Sequence, residues 1–313
     1  MLHKIKKVQK IPQKLWSMVI GKGGAVVNYH RVGSEDAFTG KLGITIPTSV
    51  FADHIQYLAT NFSVVPFSEF LERRFKKNTV AITFDDGYLD IITVAMPILT
   101  AHNCPFKIFL NSEQVLGKVG WLNKLSFILF CLKDEELTQF AAMALPSRQV
   151  KNPNLVDEYR QFFEFPVTLN VIDQQFMALN ADRIVPKMYL DRNDIQMLKS
   201  NPQIEWGSHS ASHMPLGRLP QDIRFQDVLE GHKYLKTILE SRLDGFALPF
   251  GHSGMEDHVL ADLVANVDDC VVTSINERIS YQRFGRLNAI QRVNGGVSLA
   301  QLKAKIESSL HST

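Results

Sequence analysis

"TVAITFDDGYLD", residues 79–90, is the stretch on which the fold turns. Six residues that are mostly apolar or β-branched run straight into two adjacent carboxylates, Asp85 and Asp86, and then Gly87. A bare Asp–Gly after a strand is a hairpin signal, which would make Asp86–Gly87 a turn and Asp85 incidental. The competing reading is a buried strand that holds two acids at the rim of a pocket. One acid would then bind a metal and the other would move a proton.

The surroundings of that strand bear on the choice. Short apolar runs recur along the chain, at 25–30, 62–67, 79–85, 105–111, 204–209, 245–250, 270–274 and 290–293. Helix-like segments stand between them, among them residues 47–60, 88–102, 191–200, 221–240, 255–267 and 298–310, the last with Ser298 as its N-cap. Strands alternating with helices predict βα units on a parallel sheet, and seven or eight such units close a barrel. Active sites of such barrels lie where strands end, which is where Asp85 and Asp86 fall. The pattern therefore predicts a (β/α) barrel of seven or eight strands. Residues from about 115 to 190 break the rhythm. They read as a helical insertion, either a lid or a packing element.

With 313 residues and 45% hydrophobic content, the chain can bury one large core or two ordinary ones. A net charge of +2 gives no reason to expect bulk binding to nucleic acid. Cys104, Cys131 and Cys270 form no CxxC pair and no even-numbered framework, which suits a reducing compartment. No run reaches the ~18 to 20 apolar residues of a spanning helix. The first 24 residues are basic and loosely amphipathic, with Pro12 interrupting them. They read as an arm or helix packed on a domain of residues 25–313, or as a peripheral membrane contact.

A second constellation stands in "EWGSHSASHMPLG", residues 205–217. His209 and His213 are four apart and could face one cation if the segment coils as a turn of helix. Two imidazoles and one carboxylate make a three-ligand set that leaves a position open, suited to zinc and to other divalent first-row metals. Two adjacent carboxylates repel, and a divalent ion on one of them removes that cost. The other is then free to act as a base, the arrangement for metal-assisted hydrolysis of a carbonyl compound.

With both constellations in view, the chain resembles the polysaccharide deacetylase family, the NodB-homology or carbohydrate esterase 4 group. "TFDDGY" at 83–88 is similar to the family's first motif and "HSASH" at 209–213 to its second. "NYHRV" at 28–32, "AMPILTAHNCPFKIFLNS" at 95–112 and "GFALPFG" at 245–251 resemble neighbouring segments of one branch. The resemblance spans roughly residues 25–120 and 185–295. It implies a distorted (β/α) barrel of about seven strands and removal of an N-acetyl group from an amino sugar. Asp85 is then the general base, Asp86, His209 and His213 hold a divalent metal (zinc first), and the loop at Phe250 helps to hold the developing oxyanion.

Two parts of the family pattern are missing. Ala247 and Leu248 stand where the third motif usually opens with an Arg, and the late Leu-x-His motif is absent. Arg292, at the end of "IQRV", either pairs with Asp85 in place of that Arg or lies on the surface. His30, at the end of the first strand, either donates the proton to the leaving amine or bonds its own loop, with His252 a weaker candidate. Tyr88 and Trp121 are candidate sugar-stacking rings, Asn111 is a candidate substrate contact, and Trp206 reads as core. Asp268–Asp269 read as a turn. The expected substrate is an N-acetylated sugar, nucleotide-linked or lipid-linked, handled in the cytoplasm or at the inner membrane face. The alternatives are a glycan-binding module that has lost catalysis, and hydrolysis of an O-acetyl or formyl group.

Overall fold

The computed structural model describes residues 24–73, 78–250, 270–275, 281–284 and 287–311. The basic arm (apart from Gly24), the helix expected over 255–267, His252 and Asp268–Asp269 lie outside the described residues.

The first strand, β1 (Gly24–Tyr29), is followed by two short ones, β2 (Arg31–Val32) and β3 (Thr45–Ile46), which pair only with each other. Next come β4 (Ser63–Val64), β5 (Thr79–Phe84), β6 (Phe106–Leu110), β7 (Ile204–Ser208), β8 (Leu243–Ala247), β9 (Cys270–Ile275), β10 (Tyr281–Phe284) and β11 (Leu287–Asn294). Parallel pairing runs β1–β5–β6–β7–β8–β9–β11 and returns to β1, so seven parallel strands close a barrel. β4 adds to the edge of β5, and β10 runs antiparallel to β11. The expected (β/α) barrel of about seven strands is what forms. Two local expectations fail. The strand read at 62–67 shrinks to Ser63–Val64, because the helix Phe67–Arg73 begins at once. The helix read across 88–102 opens as a π-turn, Ile91–Ala95, before continuing as Met96–Ala101.

β5 shows why its sequence is apolar along its whole length. All six residues are buried, because a parallel barrel stave is covered on both faces. Side chains alternate across it. Val80, Ile82 and Phe84 join the large core beneath the helices, with Phe106, Ile108 and Trp206. Ala81 turns the other way and packs with Val26, Phe109 and Ala247. Thr83 points inward too and spends its hydroxyl on Asn28 Oδ1 at 2.8 Å.

Between β6 and β7 the chain is helical, with Ser112–Val115, Trp121–Cys131, Asp134–Ala144, Val156–Gln161 and Val167–Ala178. The chain breaks between the second and third of these helices at Leu132, which is extended. These helices form a core of their own around Phe127, Phe140, Tyr159 and Phe176, and Phe246 and Leu248 of the barrel side join it. The helix read at 298–310 is Leu299–His311, with Gln301 N donating to Ser298 Oγ at 3.3 Å. Among the described residues, no helix is long and apolar enough to cross a membrane.

Candidate active site

Parallel strands put every carboxyl end on one rim. Asp85 follows β5, His30 follows β1, Asn111 follows β6, His209 follows β7, and Arg292 lies near the end of β11. Asp85 N still donates to Tyr29 O at 3.0 Å, which extends the ladder by one residue. The backbone then turns through two left-handed residues, Asp86 at φ 68° and Gly87 at φ 67°. A Cβ on Gly87 would also meet Leu110 Cδ2 at 2.5 Å, so both the left-handed backbone and the close side chain favour glycine there. The tight turn aims the two adjacent carboxylates at different partners.

Asp85 is 3% exposed and Arg292 1% exposed. The guanidinium meets the carboxylate in a two-pronged contact, Nη1–Oδ1 and Nη2–Oδ2 both at 2.7 Å. Asn28 Nδ2 adds a third bond to Oδ2 at 3.0 Å, and Arg292 Nη1 also donates to Asn28 Oδ1 at 2.8 Å. Burial by itself raises the pKa of Asp85. The Arg292 charge overrides it, with help from His209 and His30, and holds the carboxyl well below the usual range. His30 Nε2 stands 3.8 Å from Asp85 Oδ2.

Asp86 has the opposite surroundings. Burial raises its pKa, and His30 and His209 only partly offset that. Its Oδ1 is buried without a hydrogen-bond partner, 3.6 Å from His209 Nε2 and 3.4 Å from His213 Nε2. One ligand atom from each of the three residues lies within 4.8 Å of the others. His209 Nδ1 is 2.7 Å from Ala247 O, a contact that puts the ring proton on Nδ1 and leaves the Nε2 lone pair free to ligate a metal. Burial lowers the pKa of His209 to about 4 and that of His213 to about 3, so both rings are neutral at pH 7. An orphaned carboxylate oxygen facing two neutral imidazoles fits a divalent cation.

The two histidines meet in a way their spacing did not foretell. Residues 209–213 are not a turn of helix. The segment is a loop with left-handed backbone at Ser210 (φ 67°) and His213 (φ 58°). His213 N donates to Ser210 Oγ at 3.1 Å, and Trp121 Nε1 donates to His213 O at 2.9 Å. Trp121 thus supports the loop and is 5% exposed, which ends its reading as a sugar platform.

A cleft of about 300 Å³ opens over the pair, lined by His30, Asp85, Asp86, His213, Phe250 and Arg160 among others. Phe250 packs its ring against His213 at 4.6 Å, with the Arg160 guanidinium 5.4 Å above its face. Tyr88 touches the cleft but is 3% exposed, stacked on Tyr189 at 4.9 Å and bonded to Asn123. It forms wall and offers no free ring face. Asn111 is 1% exposed, and its amide donates to His209 O, so it braces the loop instead of reaching a substrate. Asn28 and Thr83 are the members that motif reading missed. Each opens a stretch that carries the family resemblance, "NYHRV" and "TFDDGY", yet neither was given a role there.

Residues 72–143 match a family model described as polysaccharide deacetylase. That bears out the family resemblance and the class of enzyme read from it, a hydrolase of carbon–nitrogen bonds. The fold agrees with that of solved polysaccharide deacetylases. The Streptococcus pyogenes deacetylase PplD, in complex with acetate, is similar with a TM-score of 0.57 at 13% identity, covering 91% of this chain and 99% of that one. IcaB from Ammonifex degensii gives a TM-score of 0.57 at 18% identity, over 93% of this chain and 98% of its own. BC0361, a polysaccharide deacetylase from Bacillus cereus, gives 0.56 at 13% identity, over 91% of this chain and 69% of its own. No curated protein matches the chain.

Proposed function

We propose that the protein hydrolyses the N-acetyl group of an amino sugar in a glycan or glycan precursor, with a divalent metal held by Asp86, His209 and His213. The observation that carries this reading is the contrast between neighbours. Asp85 is locked as an anion by Arg292, while Asp86 turns an unpartnered oxygen towards two neutral imidazoles. When bound, a divalent ion, zinc in the first instance, supplies Lewis-acid polarisation of the acetyl oxygen and makes water more acidic.

The remaining work falls to the chain. Asp85 orients the attacking water and accepts its proton. A carboxylate held so far below neutrality is a weak base, so that proton has to move on. His30, 3.8 Å away, is the group placed to receive it and to deliver it to the leaving amine. Arg292 keeps Asp85 charged and oriented, the part of the missing third-motif Arg. Phe250, in its left-handed loop beside His213, remains our candidate for the oxyanion side of the cleft.

We take residues 25–313 as one deacetylase domain with an insertion over about 115–190. The insertion forms part of the substrate wall through Val156 and Arg160. A carbohydrate carrying a nucleotide or lipid fits an enzyme acting in the cytoplasm or at the inner membrane face, which the basic N-terminal arm would touch. The glycan-binding alternative is disfavoured because a pure binder needs no buried Arg–Asp base beside a metal set. A metal-loaded screen over N-acetylated nucleotide sugars and oligosaccharides, read by mass loss, tests the proposal. Release of formate, or of acetate from O-acetyl esters alone, would move the activity to the other acyl groups.

A further inference from the structure

We propose that Asp227 is a positioning residue for the metal-ligand loop, acting with Gly231 one helical turn later. Left-handed backbone at two non-glycine residues is costly and persists only where the surroundings over-determine it. Ser210 and His213 are both in that state, so something must hold residues 210–213 in place. One side is held by the short helix Ser112–Val115 after β6, where Ser112 N donates to Ser210 O at 3.3 Å and Glu113 N to Ala211 O at 3.0 Å. The other side is held by the helix Gln221–Leu239, and nearly all of that hold is Asp227.

Its carboxylate Oδ1 accepts from Ser212 N at 3.1 Å and from Ser212 Oγ at 2.6 Å. Its own carbonyl accepts from Ala211 N at 3.0 Å. Three bonds from one residue thus grip the two residues just before His213. Asp227 is only 7% exposed, so these bonds form where water competes little. Gly231 lies four residues on, hence on the same helix face. A Cβ there would stand 2.5 Å from Ala211 N and 2.6 Å from Ser210 C. Glycine is a poor choice in the middle of a helix, and here it lets the helix come close enough for Asp227 to reach the loop. The pair works as a clamp and a spacer. Through Ser210 Oγ, which accepts from His213 N, the grip extends to the ligand itself.

The test is Zn2+ affinity of the full chain, by chelator competition, together with the visible absorption of the Co2+-loaded protein. It rests on the ligand set proposed above. A wild type that binds no metal would sink that ligand set, whereas equal binding by wild type and variants would sink only the clamp. Asp227→Ala is expected to weaken Zn2+ binding about 10- to 100-fold and to change the cobalt bands, as loss of an outer-shell partner does. Asp227→Asn, which keeps an acceptor oxygen, should recover most of that loss. Ser212→Ala removes the hydroxyl from the loop side without touching the helix and should weaken binding by a smaller factor. Where Asp227→Ala does not fold, Ser212→Ala and Gly231→Ala decide. Wild-type affinity with an unchanged cobalt spectrum in the folded variants would overturn the proposal.

Discussion

Replacing Arg292 probes the most demanding part of this arrangement. The guanidinium is 1% exposed and makes two 2.7 Å bonds to a carboxylate that is 3% exposed. Arg292→Ala leaves that carboxylate buried without its cation. Breaking a buried pair by removing one partner costs about 3–5 kcal/mol, because the remaining charge has neither water nor counter-ion. Asn28 and His30 remain close and would return part of this, so the lower end, about 3 kcal/mol, is expected from denaturant unfolding. The same change has a second reading in pH. With the Arg292 charge gone, burial governs, and the Asp85 pKa rises above the usual carboxylate range. The acid limb of kcat/KM should therefore move to higher pH in the variant. Arg292→Lys should fall between, since an ammonium keeps the charge but cannot form the fork. Asp85→Asn added to Arg292→Met should regain stability while staying inactive, since neither charge is then buried. Stability within about 1 kcal/mol of wild type, with the acid limb unmoved, would refute the claim that Arg292 holds Asp85 ionised.

Other consequences are more local. His30→Ala should lower kcat by a factor of about 10² to 10⁴, the range of general acid–base catalysis, with metal content unchanged; an unaltered kcat would return proton delivery to another group. The metal-free protein should lose stability as pH falls from about 6.5, where an unfolded histidine titrates, towards 4, the folded value of His209. At His209 and His213 the unfolded state binds more protons throughout that window, and His209 alone contributes a loss on the order of 3 kcal/mol by pH 4. A flat unfolding free energy over that range would contradict the burial of neutral imidazole. Gly87→Ala should destabilise by roughly 1–3 kcal/mol, combining left-handed strain with contact on Leu110, and urea unfolding reads it directly.

The parts of the site that could be read from sequence are those tied to a strand end by short spacing. Asp85 and Asp86 announce themselves because two acids interrupt a buried run, and His209 and His213 because they follow the next such break but one. Arg292 and His30 were open choices, and the closure of β1 onto both β5 and β11 is what brings them together. Asn28 opens the "NYHRV" stretch, but its role could not be assigned until the facing carboxylate, Asp85, was known. A helical turn was the condition under which His209 and His213 could share a cation, and the loop that meets it instead was hidden because its left-handed residues are serine and histidine, not glycine. The same limit hid Asp227, which lies 14 residues beyond His213 and belongs to the site only through the approach of its helix. Asn111 was read as a substrate contact and Tyr88 as a stacking ring, but both are buried, where one braces the loop and the other forms wall.

In the proposed reaction the two neighbouring acids do different work on one N-acetyl group. Acetate release from N-acetylated amino sugars, measured beside bound metal for wild type, Asp85→Asn and Asp86→Ala, tests it most directly. The wild type should bind one divalent ion and release acetate. Asp85→Asn should keep the ion and lose turnover, and Asp86→Ala should lose both. Turnover near wild type in Asp85→Asn, or full metal content in Asp86→Ala, would contradict the division of labour.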